Sequence, residues 1–187
     1  MINAAVTDSK WRFTTKDILT IAVIAAICGV VGAFVVGPWA KFIEGLLGPF
    51  GAALDNPFFI FWAILAGLLI PRPGVALVTS LLGCLVEMIA GSLDGSIVMV
   101  FGLAQGIGME AGLALFRYRP SLPAAIVSGA LGGVGCAISL LYVFGFVTLP
   151  GFSQILLIAA LAIGDGVIGG LLAWFIAQAV KRSGAFS

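Results

Sequence analysis

SIVMVFGLAQGIGMEAGLALF, running from Ser96 to Phe116, decides how this chain must be read. At 1.5 Å per residue such a helix crosses the roughly 30 Å hydrocarbon core of a bilayer. It is apolar except for Gln105 and Glu110. A carboxylate at the centre of a spanning helix costs about 2.5–3.5 kcal/mol on insertion scales. The same pattern recurs twice, with Glu87 in the apolar segment 75–91 and Asp165 in the apolar segment 154–180. Three carboxylates and a carboxamide kept at such cost point to a polar site or pathway inside a helical bundle.

Composition agrees. The chain has 187 residues, 61% hydrophobic and 9% charged, with mean hydropathy +1.23. Soluble domains carry roughly 25% charged residues. Reading outward from Ser96–Phe116 gives six spans, about 17–37, 57–70, 75–91, 96–116, 123–147 and 154–180. The expected fold is an all-α membrane protein, a compact bundle of six transmembrane helices forming one domain over 17–182. A polar lead, 1–16, precedes it, and Thr15 is the expected cap of the first helix. The uncharged run Ile18–Ala40 exceeds a signal-peptide core and reads as a retained first helix. The first span is expected to end before Pro38. Residues 38–56 form an outer loop and candidate lid, with a short interfacial helix from Lys41.

With the N-terminus in the cytoplasm, eight of the nine basic residues fall inside: Lys10, Arg12, Lys16, Arg72, Arg117, Arg119, Lys181 and Arg182. Only Lys41 lies outside. The positive-inside rule therefore puts both termini in the cytoplasm. The net charge of +1 gives no argument for nucleic acid. His is absent, which removes the commonest metal ligand. Cys28, Cys84 and Cys136 lie in apolar segments without a CxxC and read as small hydrophobes. The chain lacks G-x-x-x-x-G-K-[ST] and HExxH. Gly164-Asp165 falls short of an intramembrane protease pattern, because Ala162 replaces its first glycine. No enzyme, metal site or covalent cofactor is expected.

Each candidate has two readings. Glu87 is an anion facing an outward cavity or an interfacial carboxylate. Gln105 is a ligand contact or an interhelical hydrogen bond. Glu110 and Asp165 are functional groups or structural bonds. Gln105 and Glu110 are five residues apart, so they point about 140° from each other. Trp39, Trp62, Phe58, Phe59, Phe61 and Tyr142 supply aromatic faces, and Asn56 lies beside them in the outer loop. Aromatic faces plus a carboxylate suit a flat cationic ligand. The alternative is an interfacial belt, the reading for Trp11 and Trp174 at the inner side. Small-xxx-small spacings, among them Gly102/Gly106, Gly108/Gly112, Gly129/Gly133 and Gly166/Gly170, read as close helix packing. Ala22, Ala26, Gly29 and Ala33 form a stripe suited to docking a partner membrane protein.

Four motifs give the chain a family likeness: Trp62 near the end of helix two, Arg72-Pro73-Gly74-Val-Ala76, Leu85-Val-Glu87-x-x-x-Gly91, and Gln105-Gly106-Ile-Gly108-Met-Glu110. With Tyr142, they make it resemble the YkoE family of substrate-binding S components of energy-coupling factor (ECF) importers. The resemblance spans about 17–180. It implies capture of thiamine or its hydroxymethylpyrimidine precursor at an outward-facing site covered by the first outer loop. It implies a transmembrane coupling subunit and two cytoplasmic ATPases as partners, with ATP used only by them. It places the protein in a bacterial cell membrane. The site residues under this reading are Glu87, Gln105, Trp62, Tyr142, Glu110, Asn56, Phe58 and Trp39. Ala22, Ala26, Gly29, Ala33 and Arg72 would meet the partner. The turn lacks the Lys of the family's Arg-Lys-Pro-Gly, and the stretch around Asp165 departs from the family pattern. The alternatives are an S component for another vitamin or cation, and a structural subunit with no ligand.

Overall fold

The computed structural model describes residues 13–184, and the expectations for Lys10, Trp11 and Arg12 lie outside them. Among the described residues every regular element is a helix. Four stretches are long and apolar enough to cross a membrane: Thr15–Leu69, Gly95–Leu115, Leu122–Val143 and Gly151–Arg182. A shorter apolar helix covers Val75–Ala90.

Helix α1 (Thr15–Val31) opens on a capping box. Asp17 N–H donates to Thr14 Oγ1 (3.2 Å), and Thr14 N–H donates to Asp17 Oδ2 (2.9 Å). Thr14, not Thr15, is the cap. Only from position 14 does the third residue onward carry a carboxylate that can reciprocate.

The first helix also runs past Pro38, against expectation. A π-turn over Gly32–Val36 joins α1 to α2 (Gly37–Leu47). Gly37 N–H donates to Gly32 O, and Pro38 then sits in the first turn of a fresh helical segment, where its missing N–H costs nothing. The expected loop 38–56 is largely helical. After α2 come a 3₁₀ turn (Gly48–Gly51) and a single helical turn, α3 (Ala52–Asp55).

Thr15–Leu69 is 55 residues long, which would span about 80 Å if straight. It folds back, because α1 packs against α4 (Pro57–Leu69). Gly48, at φ +59° and ψ −148°, makes the reversal in a conformation that side chains forbid. Helix α4 is buried on every side, including each residue from Ala63 to Leu69. It touches α1, α5 (Val75–Ala90), α6 (Val98–Leu115), α7 (Leu122–Val143) and α9 (Gly170–Arg182). An all-round apolar helix belongs at the centre of a bundle, and α4 occupies it. With 13 residues it reaches only about 20 Å. The other helices extend beyond its N-terminal end and leave room there.

Glycine sets the closest packing. A Cβ on Gly112 would strike the Ser128 backbone, and one on Gly108 or Gly135 would strike a carbonyl oxygen across the α6–α7 interface. Ser128 Oγ adds a bond to Met109 O (2.7 Å). The small-residue pairs on these helices are internal contacts. A second π-turn, Asp165–Gly169, lies between α8 (Gly151–Gly164) and α9. The bundle end bearing the termini is tied by Arg72 to Asp17 (3.4 Å) and by Lys181 Nζ to Leu68 O (3.0 Å).

Candidate functional site

Above the N-terminal end of α4 lies a half-enclosed cavity of about 80 Å³. Its wall is built by α2, α3, the start of α4, and the far ends of α5, α6 and α7. It therefore faces the end of the bundle opposite the termini.

Three of the residues expected at the site meet there: Glu87, Gln105 and Asn56. Glu87 is 4% exposed, four residues before the end of α5 at Gly91. Gly91 closes α5 at φ +97°, which turns the chain so that Ser92 Oγ donates to Glu87 Oε1 (3.0 Å). The other carboxyl oxygen lies against Gly32, where a Cβ would crowd it at 2.9 Å. The first π-turn thus leaves space for the carboxylate.

Asn56 and Gln105 belong to a buried chain of hydrogen bonds. Gln105 Nε2 donates to Asn56 Oδ1 (3.0 Å), and Asn56 Nδ2 donates to Asp165 Oδ2 (2.6 Å). Asp165 is fully buried at the start of the second π-turn, a device common at functional sites. It is not part of the cavity lining and reaches it through Asn56. Asp165 Oδ1 and Asp55 Oδ2 are buried atoms without a hydrogen-bond partner.

The mouth carries a charge cluster that sequence reading left outside the site. Lys41 on α2 pairs with Glu44 (3.1 Å) and with Asp94 in the turn before α6 (2.8 Å). All three line the cavity, as does Asp55. With Glu87, four carboxylates face one ammonium. Asp55-Asn56 just ahead of the uniformly apolar Pro57–Leu69 was the available signal, since polar residues there abut a buried helix.

The aromatic wall differs from expectation. Phe59, Phe101 and Phe144 line the cavity, and the Phe101 and Phe144 rings lie 6.0 Å apart. Tyr142 is 73% exposed on the opposite face of α7, two residues and about 200° from both Leu140 and Phe144, which line the cavity. Trp62 is six residues beyond Asn56, about 9 Å down α4, and lies beside Leu19 and Val23 of α1. Phe58 points off the lining and packs edge-on against Trp39 at 5.4 Å. Trp39, Phe58, Trp62 and Tyr142 are thus outside the cavity lining.

Glu110 is also elsewhere. Its Oε1 accepts from Gly74 N–H (2.5 Å), and its Oε2 accepts from Ala76 N–H (3.2 Å) and Leu77 N–H (3.4 Å). These are orphan donors at the start of α5, so Glu110 acts as that helix's missing cap. Tyr118, in the turn after α6, has its phenol pushed up to about 12, by burial first and then by the Glu110 carboxylate it donates to.

The docking stripe divides. Gly29 and Ala33 are buried, Gly29 directly against Gly83, Val86 and Glu87 of α5, whereas Ala22 and Ala26 remain exposed. Arg72 is engaged with Asp17.

Comparison with known proteins gives this architecture its kin. A family described as the permease component of an ABC-type cobalt transport system matches residues 16–135. YkoE of Bacillus subtilis (strain 168), a protein named for HMP/thiamine permeation, is 32% identical over 183 residues, covering 95% of this chain and 86% of its own. The chain belongs to the YkoE family of ECF S components. The crystal structure of an S-component of an ECF transporter superposes with a TM-score of 0.87 at 25% identity, covering 94% of this chain and 89% of that one. The S component is therefore a multi-pass membrane protein and a transporter subunit, not an enzyme.

Proposed function

We propose that this S component captures thiamine or its hydroxymethylpyrimidine precursor in the cavity above α4, for uptake driven by partner ATPases. One observation carries the reading: carboxylates, carboxamides and phenyl rings converge on one half-enclosed cavity. An aminopyrimidine offers an exocyclic amine to acceptors such as Glu87 and flat faces to Phe59, Phe101 and Phe144. At the mouth Glu44 and Asp94 outnumber Lys41, which favours a ligand carrying positive charge, as the thiazolium of thiamine does.

The bundle spans six times under this reading, through α1, α4, α5, α6, α7 and the joined α8–α9. Both termini are cytoplasmic and the cavity opens outward. Lys41, Glu44 and Asp94 then stand at the outer surface, and α2–α3 form the lid. The exposed Ala22 and Ala26 meet a transmembrane coupling subunit, which links the bundle to two ATPases.

Calorimetric titration of purified protein tests the proposal. Thiamine and hydroxymethylpyrimidine are the titrants, against wild type and Glu87→Gln. Removing a hydrogen-bonding charge from a buried contact costs about 1.5–3 kcal/mol, roughly 10- to 150-fold in Kd. Saturable binding weakened to that extent is expected. Binding of either compound with an unaltered Kd in Glu87→Gln would remove the carboxylate from the site. A response to cobalt(II) alone would move the cargo to the metal cation that the family description names.

A further inference from the structure

A carboxamide can face a ligand with either its carbonyl or its amine, and what turns it decides what the ligand must offer. Gln105 lines the cavity, so its orientation matters. Its Nε2 donates to Asn56 Oδ1 at 3.0 Å, and Asn56 Nδ2 donates to Asp165 Oδ2 at 2.6 Å. All three side chains are buried, Asp165 at 0%, Asn56 at 5% and Gln105 at 6% exposure. The direction of donation along this chain is set at its buried end. An ionised carboxylate only accepts. With Asp165 Oδ2 accepting, as it does here, Asn56 turns its amine to Asp165 and its carbonyl to Gln105. Gln105 then donates to Asn56, and its remaining polar atoms meet the Cys136 thiol and the cavity that both residues line, where Oε1 can accept from a ligand.

We propose that Asp165 is a specificity-positioning residue: through Asn56 it fixes Gln105 so that a carbonyl oxygen faces the ligand, selecting a ring that presents an amine over one that presents a carbonyl. This rests on the proposed pyrimidine ligand. The polarity of the chain is a property of all three residues, so it can be broken at two places without touching Gln105. In Asp165→Asn the new amide can donate to Asn56 Oδ1, and the whole chain can reverse. In Asn56→Ala the link is cut and Gln105 is free to turn either way.

The test compares 4-amino-5-hydroxymethyl-2-methylpyrimidine with its 4-oxo counterpart, both by calorimetric titration of the purified full chain, with a thermal melt for each variant. Wild type is expected to favour the amine by about 10-fold or more, the worth of one buried hydrogen bond made or left unmade. Asp165→Asn should cut the amine preference by about 10-fold, the amine weakening while the oxo compound gains, with Glu87 still accepting from the amine. Asn56→Ala should cut the same preference, since Gln105 can then turn to either compound. A purely structural role for Asp165 would lower the melting temperature and weaken both ligands in parallel, leaving the ratio unchanged, and that result overturns the inference. If Asp165→Asn gives no cooperative melt, the ratio in Asn56→Ala decides, and a wild-type ratio there overturns it. A wild type that binds both compounds without preference overturns it too, while leaving the ligand reading intact. A wild type that binds neither compound nor thiamine overturns the ligand reading and this inference together.

Discussion

Glu110→Ala separates a structural carboxylate from a ligand-binding one. The wild-type side chain comes from α6 and satisfies three N–H groups at the start of α5, at 2.5, 3.2 and 3.4 Å. The capping position of α5 is Gly74, which has no side chain to do this. Loss of a cap costs about 0.5–2 kcal/mol. A negative charge near a helix N-terminus contributes about 0.3–1 kcal/mol more when exposed and up to about 2 when half-buried. The group is half-buried, so the sum is about 2–3 kcal/mol. For a chain of this length that lowers the melting temperature by roughly 5–10 °C. Glu110→Gln keeps one accepting oxygen and should lose about half as much. Ligand affinity should stay within about 2-fold in both, because the cavity lies at the other end of α5. Thermal unfolding in detergent and calorimetric titration provide the two readings. Spectrophotometric titration of Tyr118 provides a third. Its phenol is held up near 12 partly by Glu110, so its pKa should fall toward the ordinary value of 10.0 in Glu110→Ala. An unchanged melt together with a tenfold or greater loss of affinity would refute the capping argument and return Glu110 to the binding site.

Three further outcomes are expected. Lys41→Met unties α2 from the Asp94 turn; each of these partly exposed pairs is worth about 0.2–1 kcal/mol, so ligand release measured by stopped flow should quicken about 2- to 5-fold. Unchanged release in low salt would deny the pair a latching role. Gly112→Val forces side-chain atoms into the Ser128 backbone and should destabilise by about 3 kcal/mol, whereas Ala22→Val on the exposed face of α1 should change the melt by less than the equivalent of about 0.5 kcal/mol. Equal melts would mean that α6 and α7 do not pack through these glycines. Ala26→Trp should leave calorimetric binding intact and abolish uptake in cells expressing the partner subunits, and lost binding in detergent would count against a docking role for this face.

Burial across the membrane was legible from Gln105 and Glu110 within Ser96–Phe116, because lipid tolerates so few polar groups that each one stands out. The same rule could not say what either group does. Both are polar residues on one apolar helix, yet one lines a cavity and the other caps a neighbouring helix. The helical angle of about 140° between them meant that they need not share one site, but it named neither partner. Tyr142 and Trp62 show the converse limit. Residue type marked them as ligand-stacking candidates, while helical phase and depth placed them outside the cavity, and Phe144 and Phe59, two and three residues away, took that position.

Sequence by itself determined the solvent, the helical class and the approximate extent of the helices, since each follows from local hydropathy and chain length. It also supplied Glu87, Gln105 and Asn56. Only the tertiary structure decided that the first helix continues past Pro38 as α2, because that depends on a π-turn that places Pro38 in the first turn of a fresh segment. Only it joined Asn56 to Asp165, 109 positions apart, and Glu110 to Gly74, 36 apart. Hydropathy is a property of neighbours in the chain. Hydrogen-bond partnership between helices depends on their depth and rotation, which packing around α4 sets and no single helix encodes.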